Sequence, residues 1–421
     1  MKTKSQPEKH DILATQEVES IERQDGHQDL QIRFDTLDIA LQQPVSKIYQ
    51  SWKQLFENDP NSNIYQNPDH LVHCISDLQE SHTGQSGYLM LCIQNEKTIA
   101  AGILLPKSHN SKCLRKLGLT RFFQGYYLCG NRFLIDPEFE EDETLQNDLL
   151  KSLLSFCQNQ KAAFLLLDDL LLDQPLNRSI PGINDGFLSF SQSGYQNRNL
   201  IHFTDNPADY WNQFRSKSRT KHRRRLRQNS EMHLVRITEP DQVVEFLENA
   251  HQISVNTWQT QRFGLRIKNA QSELDELTSL AINNQLRSYL LMKGDQPVAF
   301  KLGYQHKGTF RDLEFGFDLN YAQTSPGEAL LLLIFEDLIQ HNTPAIYDFG
   351  EGDGEYKQRY SSEITQSRSL MLLPPTLKNR CLLSYLYTSR SMSQLLRKTL
   401  KATGIHTAVR QIFRYGKIGS K

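Results

Sequence analysis

Tyr88-Leu-Met-Leu-Cys-Ile-Gln-Asn-Glu-Lys-Thr-Ile-Ala-Ala-Gly102 and Tyr289-Leu-Leu-Met-Lys-Gly-Asp-Gln-Pro-Val-Ala-Phe-Lys301 are two versions of one hairpin. Each has an apolar run, a short polar turn (Asn95-Glu96-Lys97; Gly294-Asp295-Gln296) and a second apolar run, which is the pattern of paired strands. The two lie about two hundred residues apart, and their surroundings match. Leu145 to Asn159 has helical periodicity and precedes Phe164 to Leu167, a run suited to a strand buried on both faces. In the second half, Pro326 to Gln340 and Ala345 to Phe349 repeat that order. Two copies of one α/β unit follow. In each, a hairpin precedes a strand, a helix and another strand, so the sheet is mixed and a doubly wound nucleotide-binding domain is excluded.

The expected divisions are a disordered tail over 1–28, a degenerate N-terminal unit over 29–198, a C-terminal unit over 199–370, and a basic helical extension over 371–421. The tail is assigned because its residues are polar and contain no aromatic side chain to bury. The chain has 421 residues, and its 48 Lys and Arg balance 48 Asp and Glu, so no global field draws it to nucleic acid or membrane. The longest apolar run, Ala329 to Phe335, is far shorter than the roughly 18 to 20 residues that span a bilayer. With no signal-peptide pattern at its start, the chain is expected to be cytoplasmic. Six scattered cysteines form no Cys-x-x-Cys pair, which points away from zinc, iron-sulfur and dithiol chemistry and towards reduced, buried thiols.

Charge is local. Phe214 to Asn229 carries eight Lys or Arg in the thirteen positions from Arg215 to Arg227, without interleaved aromatic residues. A solvated helix face is the favoured reading, and a phosphate-bearing acceptor stays open. After Glu363 no acidic residue follows, against eleven Lys and Arg. Leu382, Leu383, Leu386, Leu395, Leu396 and Leu400 give this region apolar faces at helical spacing. Such faces either pack on the second unit, the favoured reading, or lie on an anionic membrane surface or a partner.

The sharpest chemical signal is Thr324-Ser-Pro-Gly-Glu-Ala329. Ser325 suits an N-cap, Pro326 the first helical position, and Glu328 the reciprocal place in a capping box. A helix start beside the strand Leu313 to Phe317 offers N–H groups and a positive dipole end to a phosphate, and Gly327 permits close approach. The matching helix of the first copy opens with Glu138-Phe-Glu-Glu-Asp-Glu-Thr144, whose carboxylates would repel an anion, so a cofactor is expected in the second copy only. The loop Tyr347-Asp-Phe-Gly-Glu-Gly-Asp-Gly-Glu-Tyr-Lys357 lacks the spacing of a dinucleotide fingerprint, and its Glu351 and Asp353 suit a cationic amine. Asp312, Glu314, Asp318 and Asp348 are placed to accept protons, and Tyr356 and Lys357 to donate them. Trp258 is a candidate pocket wall. Neither a nucleophile triad nor metal-ligand spacing is present, so no metal is expected.

With these residues in view, the second half resembles the GNAT-type acyltransferase domain of the cellulose-biosynthesis (CelD/BcsL-like) acetyltransferase group, related to the FemABX aminoacyltransferases. The basic helix SRTKHRRRLRQ, Trp258, the hairpin YLLMKGDQPVAFKLG, the SPGEALL helix start and YDFGEGDGEYK come in matching order over roughly residues 29 to 370. The resemblance implies a tandem GNAT-like α/β fold and transfer of an acetyl or other acyl group from acyl-coenzyme A to an amine, on a small molecule, glycan or peptide, in exopolysaccharide or cell-envelope biosynthesis. Thr324, Ser325, Gly327, Glu328 and Ala329 would hold acetyl-coenzyme A or another acyl-coenzyme A, although Thr324 stands where the family motif has Gln or Arg. Trp258, Glu351 and Asp353 would face the acceptor. Among Glu314, Asp348, Tyr356 and Lys357, Glu314 would take the amine proton and Tyr356 protonate the leaving thiolate. Two alternatives are an aminoacyl-tRNA-dependent transferase of FemABX type, with Arg215 to Arg227 on the RNA, and a non-catalytic envelope-assembly scaffold.

Overall fold

The computed structural model describes residues 17–21, 30–42, 44–73, 86–108, 123–183, 186–255, 267–352 and 354–402. The first copy runs β1 (Glu17–Ile21), β2 (Leu30–Thr36), α1 (Leu37–Gln42), α2 (Lys47–Asn58), the hairpin β3 (Tyr88–Gln94) and β4 (Lys97–Ser108), β5 (Gln124–Leu128), β6 (Leu134–Ile135), α3 (Glu143–Asn159) and β7 (Leu165–Leu171). After α4 (Pro175–Ser179), β8 (Leu188–Phe190) and β9 (Gln196–His202) the second copy begins. It runs α5 (Ser216–Gln228), β10 (His233–Ile237), α6 (Val243–Val255), α7 (Gln271–Ile282), the hairpin β11 (Ser288–Lys293) and β12 (Gln296–His306), β13 (Thr309–Phe317), α8 (Pro326–Gln340), β14 (Ile346–Glu351), α9 (Glu355–Tyr360), β15 (Glu363–Leu373) and α10 (Leu377–Ala402).

Each copy supplies five neighbouring strands, β2-β3-β4-β5-β7 and β10-β11-β12-β13-β14, antiparallel except for the last, parallel pair. The duplication extends to detail. Both hairpins carry a bulge two residues before the turn, at Cys92/Ile93 and at Leu291/Met292. Pairing of Gln94 with Lys97 and of Lys293 with Gln296 sets the offset at 199 residues, so Tyr88 answers to Arg287, not to the Tyr289 that sequence similarity suggests. Alternation along the strands then explains their continuous apolarity. Met90 and Cys92 of β3 pack towards α3, Leu89 and Leu91 towards α2. Tyr289 and Leu291 of β11 pack towards α8, Leu290 and Met292 towards α6 and α7. Each half-sheet is therefore covered on both faces.

The copies are joined by exchange. β9 follows the first copy in sequence but pairs with β14 of the second, and β15 follows the second but pairs with β7 of the first. β9 and β15 also pair with each other, so one sheet runs through the molecule in the order β7-β15-β9-β14. The expected divisions at 198 and 370 fall inside these exchanged strands. Three further features depart from expectation. Residues Glu17–Ile21, inside the expected tail, form an edge strand against β2, where backbone pairing needs no apolar side chains. The basic C-terminal helix packs Leu382 and Leu386 against Ala163, Phe164, Phe190 and Leu373, beside the exchanged strands and not on the second unit. Glu355 to Lys357, the end of the expected loop, open a short helix, Glu355–Tyr360. Among the described cysteines, Cys92, Cys129 and Cys157 are buried and Cys381 is exposed.

A sheet continuous through exchanged strands ties the copies into one cooperative unit. Chemical unfolding followed by tryptophan fluorescence and by far-ultraviolet circular dichroism is expected to give coincident single transitions; two separated transitions would contradict the exchange.

Candidate active site

The second copy has a fork where its parallel pair ends. β13 and β14 pair only over Thr309–Arg311 and Ile346–Asp348. Just past that point β13 bulges at Leu313 against Leu302 and Gly303, a device that re-aims backbone and side chains. At the fork Lys301 Nζ lies 2.6 Å from Asp312 Oδ2, with the two side chains 2% and 7% exposed. The Tyr347 hydroxyl donates to the same carboxylate oxygen at 3.1 Å. Lys357, at the start of α9, donates from Nζ to the Phe349 and Glu351 carbonyls at 2.6 and 2.8 Å. Burial lowers its ammonium below the ordinary lysine value, although Asp312 opposes the shift. Burial, then Asp312 and Glu314, raise the Tyr356 hydroxyl, which stays protonated at neutral pH.

Two cavities meet at this fork. One, of about 240 Å³, is mainly apolar and lined by Lys301, Phe315, Phe317, Gly327, Leu331 and Tyr356. The other, of about 420 Å³, lies between the copies and is lined by Tyr65, Tyr127, Asp169, Arg198, Asp312 and Asp348. Lys301 faces the first and its ion-pair partner Asp312 the second. A polar pair thus stands as the wall between an apolar chamber and a polar one.

The apolar cavity runs to the start of α8, and the expected capping box is absent there. Ser325 adopts the left-handed conformation (φ 53°) as it closes the preceding turn, and its side chain makes no cap bond. Glu328 is drawn elsewhere. Its carboxylate lies 3.0 Å from Arg225 Nε, 3.0 Å from Arg359 NH1 and 3.4 Å from Lys221 Nζ, and accepts the Tyr360 hydroxyl at 3.2 Å. Burial alone would raise this carboxyl; Lys221 and Arg225 outweigh it and hold it below the usual range. Arg225 and Asn229 also donate to the Thr324 carbonyl. The basic helix α5 is therefore not wholly a solvated face: Lys221 and Arg225 turn inward, while Arg215, Lys217, Arg219, Arg223, Arg224 and Arg227 are exposed.

As a seat for coenzyme A, this site fits in part. The apolar lining suits an acyl-pantetheine arm. The helix start does not suit a pyrophosphate as arranged. Pro326 has no N–H, the Glu328 and Ala329 N–H groups are bonded to the Ser325 carbonyl, and a carboxylate stands among the cations. Gly327 is needed because the Phe315 ring covers it: an added Cβ would lie 2.3 Å from that ring.

On the polar side the remaining sequence candidates separate. Asp348 is 3% exposed and accepts from Arg198 Nε at 3.0 Å, from Arg311 and from the Gly350 N–H at 2.8 Å. Burial alone would raise it, but both guanidinium groups hold it low, so it is a poor base. Glu351 accepts the Ser367 hydroxyl at 2.8 Å, and burial raises its carboxyl. Glu314 lies on β13 opposite Leu302. Trp258 and Asp353 lie outside the described residues. Sequence reasoning did not single out Lys301, Arg198, Arg311 and Asp169. One signal was readable: Lys301 is a lone charge in an apolar strand whose counterpart, at the 199-residue offset, is Gly102.

The same ladders compare the two forks. Arg311, Asp312, Tyr347 and Asp348 answer to Tyr127, Leu128, Leu165 and Leu166. The first copy is apolar where the second is charged. Its helix α3 also begins with its own anion, the Asp142 carboxylate accepting the Leu145 N–H at 2.9 Å.

Residues 215–358 match the acetyltransferase (GNAT) domain family. No curated protein sequence matches the chain. Among solved structures, FemX is 12% identical with a TM-score of 0.56 over 80% of this chain and 97% of its own, which shows a shared fold. A tandem GNAT protein from the clavulanic acid biosynthesis pathway is 9% identical, TM-score 0.46, over 86% and 100%. L-PGS from Bacillus licheniformis is 13% identical, TM-score 0.42, over 70% and 85%. The fold is a mixed α/β, tandem GNAT-like one, and the match to the GNAT acetyltransferase domain falls within its second copy.

Because Arg198 neutralises a carboxylate buried in the sheet, Arg198→Ala is expected to destabilise by about 3–5 kcal/mol, and adding Asp348→Asn to recover part of the loss. The folded Asp348 value lies below its unfolded value of about 3.9, so this pairing stabilises above that pH and is lost as pH falls through the folded value. Denaturant titrations of both variants at neutral pH check this; a single variant as stable as wild type would contradict it.

Proposed function

We propose that the chain is an N-acyltransferase that moves an acetyl or other acyl group from acyl-coenzyme A to an amine, with its chemistry at the β13/β14 fork. The observation that carries this reading is the pair of cavities, one apolar and one polar, meeting at Lys301 and Asp312. The acyl-pantetheine end enters the apolar cavity beside Phe315 and Phe317, and its phosphates compete with Glu328 for Lys221, Arg225 and Arg359. The amine enters between the copies, where Asp168 and Asp169 line the chamber and favour a cationic group. Glu314 takes one proton from the ammonium, the neutral nitrogen attacks the thioester carbonyl, and a C–N bond forms. The oxyanion forms beside the backbone edge that β13 leaves without a strand partner past Arg311. The C–S bond then breaks, Tyr356 protonates the thiolate, and the second proton leaving the nitrogen restores the Tyr356 hydroxyl. An acceptor in exopolysaccharide or cell-envelope biosynthesis, as in the CelD/BcsL-like group, suits the polar chamber.

A second reading has its own support. Glu328 in the phosphate seat and six exposed cations, Arg215 at the N-cap of α5 and five along the helix, favour a donor held by its phosphate backbone outside the cavity, as an aminoacyl-tRNA would be.

Thiol release from acetyl-coenzyme A with a panel of amines separates the two. Under the first reading, Tyr356→Phe is expected to lower kcat by about 10²-fold. Glu328→Gln, by removing a charge beside the phosphates, is expected to tighten acyl-coenzyme A binding about three- to tenfold. No thiol release with any amine, together with tRNA binding that falls steeply with salt, would reverse the preference.

A further inference from the structure

The polar chamber does not end at the fork. Asn63, Gly130, Asn131, Asp169, Arg198 and Arg311 line it and also line a further cavity of about 280 Å³, which continues into the first copy as far as the start of α3 and the turn between β7 and α4. Gln146, in the opening turn of α3, forms part of its wall. That residue is 4% exposed, yet its side-chain amide has no hydrogen-bond partner among the described residues. A buried amide left unpaired costs about 1–3 kcal/mol, which a ligand that pairs with it recovers. Asp169 offers a second open position. β7 bulges there against β15 and the residue is left-handed (φ 54°); one carboxylate oxygen meets Arg198, while Oδ1 is buried without a hydrogen-bond partner.

The cations around this cavity already face carboxylates: Arg132 meets Asp59 and Glu140, Arg198 meets Asp348 and Asp169, and Arg311 meets Asp348. A phosphate or carboxylate ligand would have to take a guanidinium from a buried partner. An apolar ligand would leave Gln146 and Asp169 unpaired. A hydroxyl group both donates and accepts, as a neutral amide does, so a ring bearing several hydroxyls suits a wall that includes Asn63, Asn131, Gln146 and Gln174. Tyr65 and Tyr127 line the adjoining chamber, where an aromatic face suits the C–H side of such a ring.

We propose that this cavity is a saccharide subsite and that the acceptor is an amino sugar carrying at least one further sugar ring: the amine reaches the fork while the neighbouring ring lies against Gln146 and Asp169. The place of the amine rests on the acyl-transfer reading; the cavity and its unpaired amide do not. Gln146 is then a specificity-determining residue, which favours acceptors that continue beyond the amine-bearing ring. Its position near the start of α3 resembles that of Glu328 near the start of α8, but in α8 three cations hold the carboxylate, whereas the α3 amide is left to the cavity. The copy that lacks the charged fork thus serves the acceptor.

Binding of glucosamine, of its β-1,4-linked disaccharide and of the tripeptide glycyl-lysyl-glycine to the full chain, followed by NMR titration with no acyl donor present, tests this. The disaccharide is expected to bind about tenfold more tightly than glucosamine, the worth of one or two hydrogen bonds. Gln146→Leu, which keeps the side-chain volume, is expected to bring that ratio to within about twofold of one. Gln146→Glu, which keeps the shape and an acceptor oxygen but loses the donor, is expected to fall between the two. Circular dichroism checks that both variants are folded. A disaccharide advantage that Gln146→Leu removes supports the subsite even where no thiol release is seen, a result that would overturn the acyl-transfer reading alone. No binding of the disaccharide, a wild-type ratio near one, an advantage that survives in folded Gln146→Leu, or tighter binding of the tripeptide than of the disaccharide would overturn the subsite.

Discussion

The Arg198 guanidinium is the contact on which the molecule closes. It stands on β9, a strand contributed by the end of the first copy, and reaches Asp348 of the second copy and Asp169 of the first. Its side chain is 5% exposed and that of Asp348 4%, so this pair has little water to fall back on, whereas Asp169 is partly exposed. Arg311 completes the charge balance from β13. A buried network of this kind is a weak source of net stability, and replacing all of it by apolar residues is often neutral. What it fixes is register: the exchanged strand β9 brings Arg198 to Asp348 of β14 and Asp169 of β7 in only one alignment. The polar chamber between the copies is built on that alignment.

Duplication gave the fold, and divergence gave the site. The hairpin and its bulge recur at an offset of 199 residues, and the helix and parallel pair recur in the same order at a shorter one, so backbone geometry is common to both copies. Chemistry is not. Where the second copy places Lys301, Arg311, Asp312, Tyr347 and Asp348, the first places Gly102, Tyr127, Leu128, Leu165 and Leu166. The first fork is filled by side chains; the second is held open by a polar pair. The Cys129–Asn131 turn that replaces the bulge in the first copy contributes instead to the polar chamber, through Cys129, Gly130 and Asn131. One copy thus works as the wall of the other's site.

Much of the architecture was legible in the sequence because strands buried on both faces and helices between them leave strong periodic signals. Pro326 to Gln340 and the two hairpins are where periodicity puts them. The exchange of β9 and β15 was not legible, since strand periodicity says nothing about which partner a strand takes. Ser325 and Glu328 have the residue types of a capping box, yet three cations from α5 and α9, distant in sequence, claim the carboxylate. Asp348 drew notice as a proton acceptor, but its two arginine partners lie 150 and 37 residues away, so its pinned state was invisible. Lys301 was the reverse case, a charge inside an apolar strand that the comparison of copies exposes.

The central claim is that a donor site exists at one fork and has been lost at the other. Equilibrium titration of the full chain with acyl-coenzyme A, read as stoichiometry, tests it most directly. One equivalent bound per chain, abolished when Phe317 in the wall of the second-copy cavity is replaced by Asp, is the predicted result. Two equivalents, or one that survives this substitution in a folded protein, would contradict it.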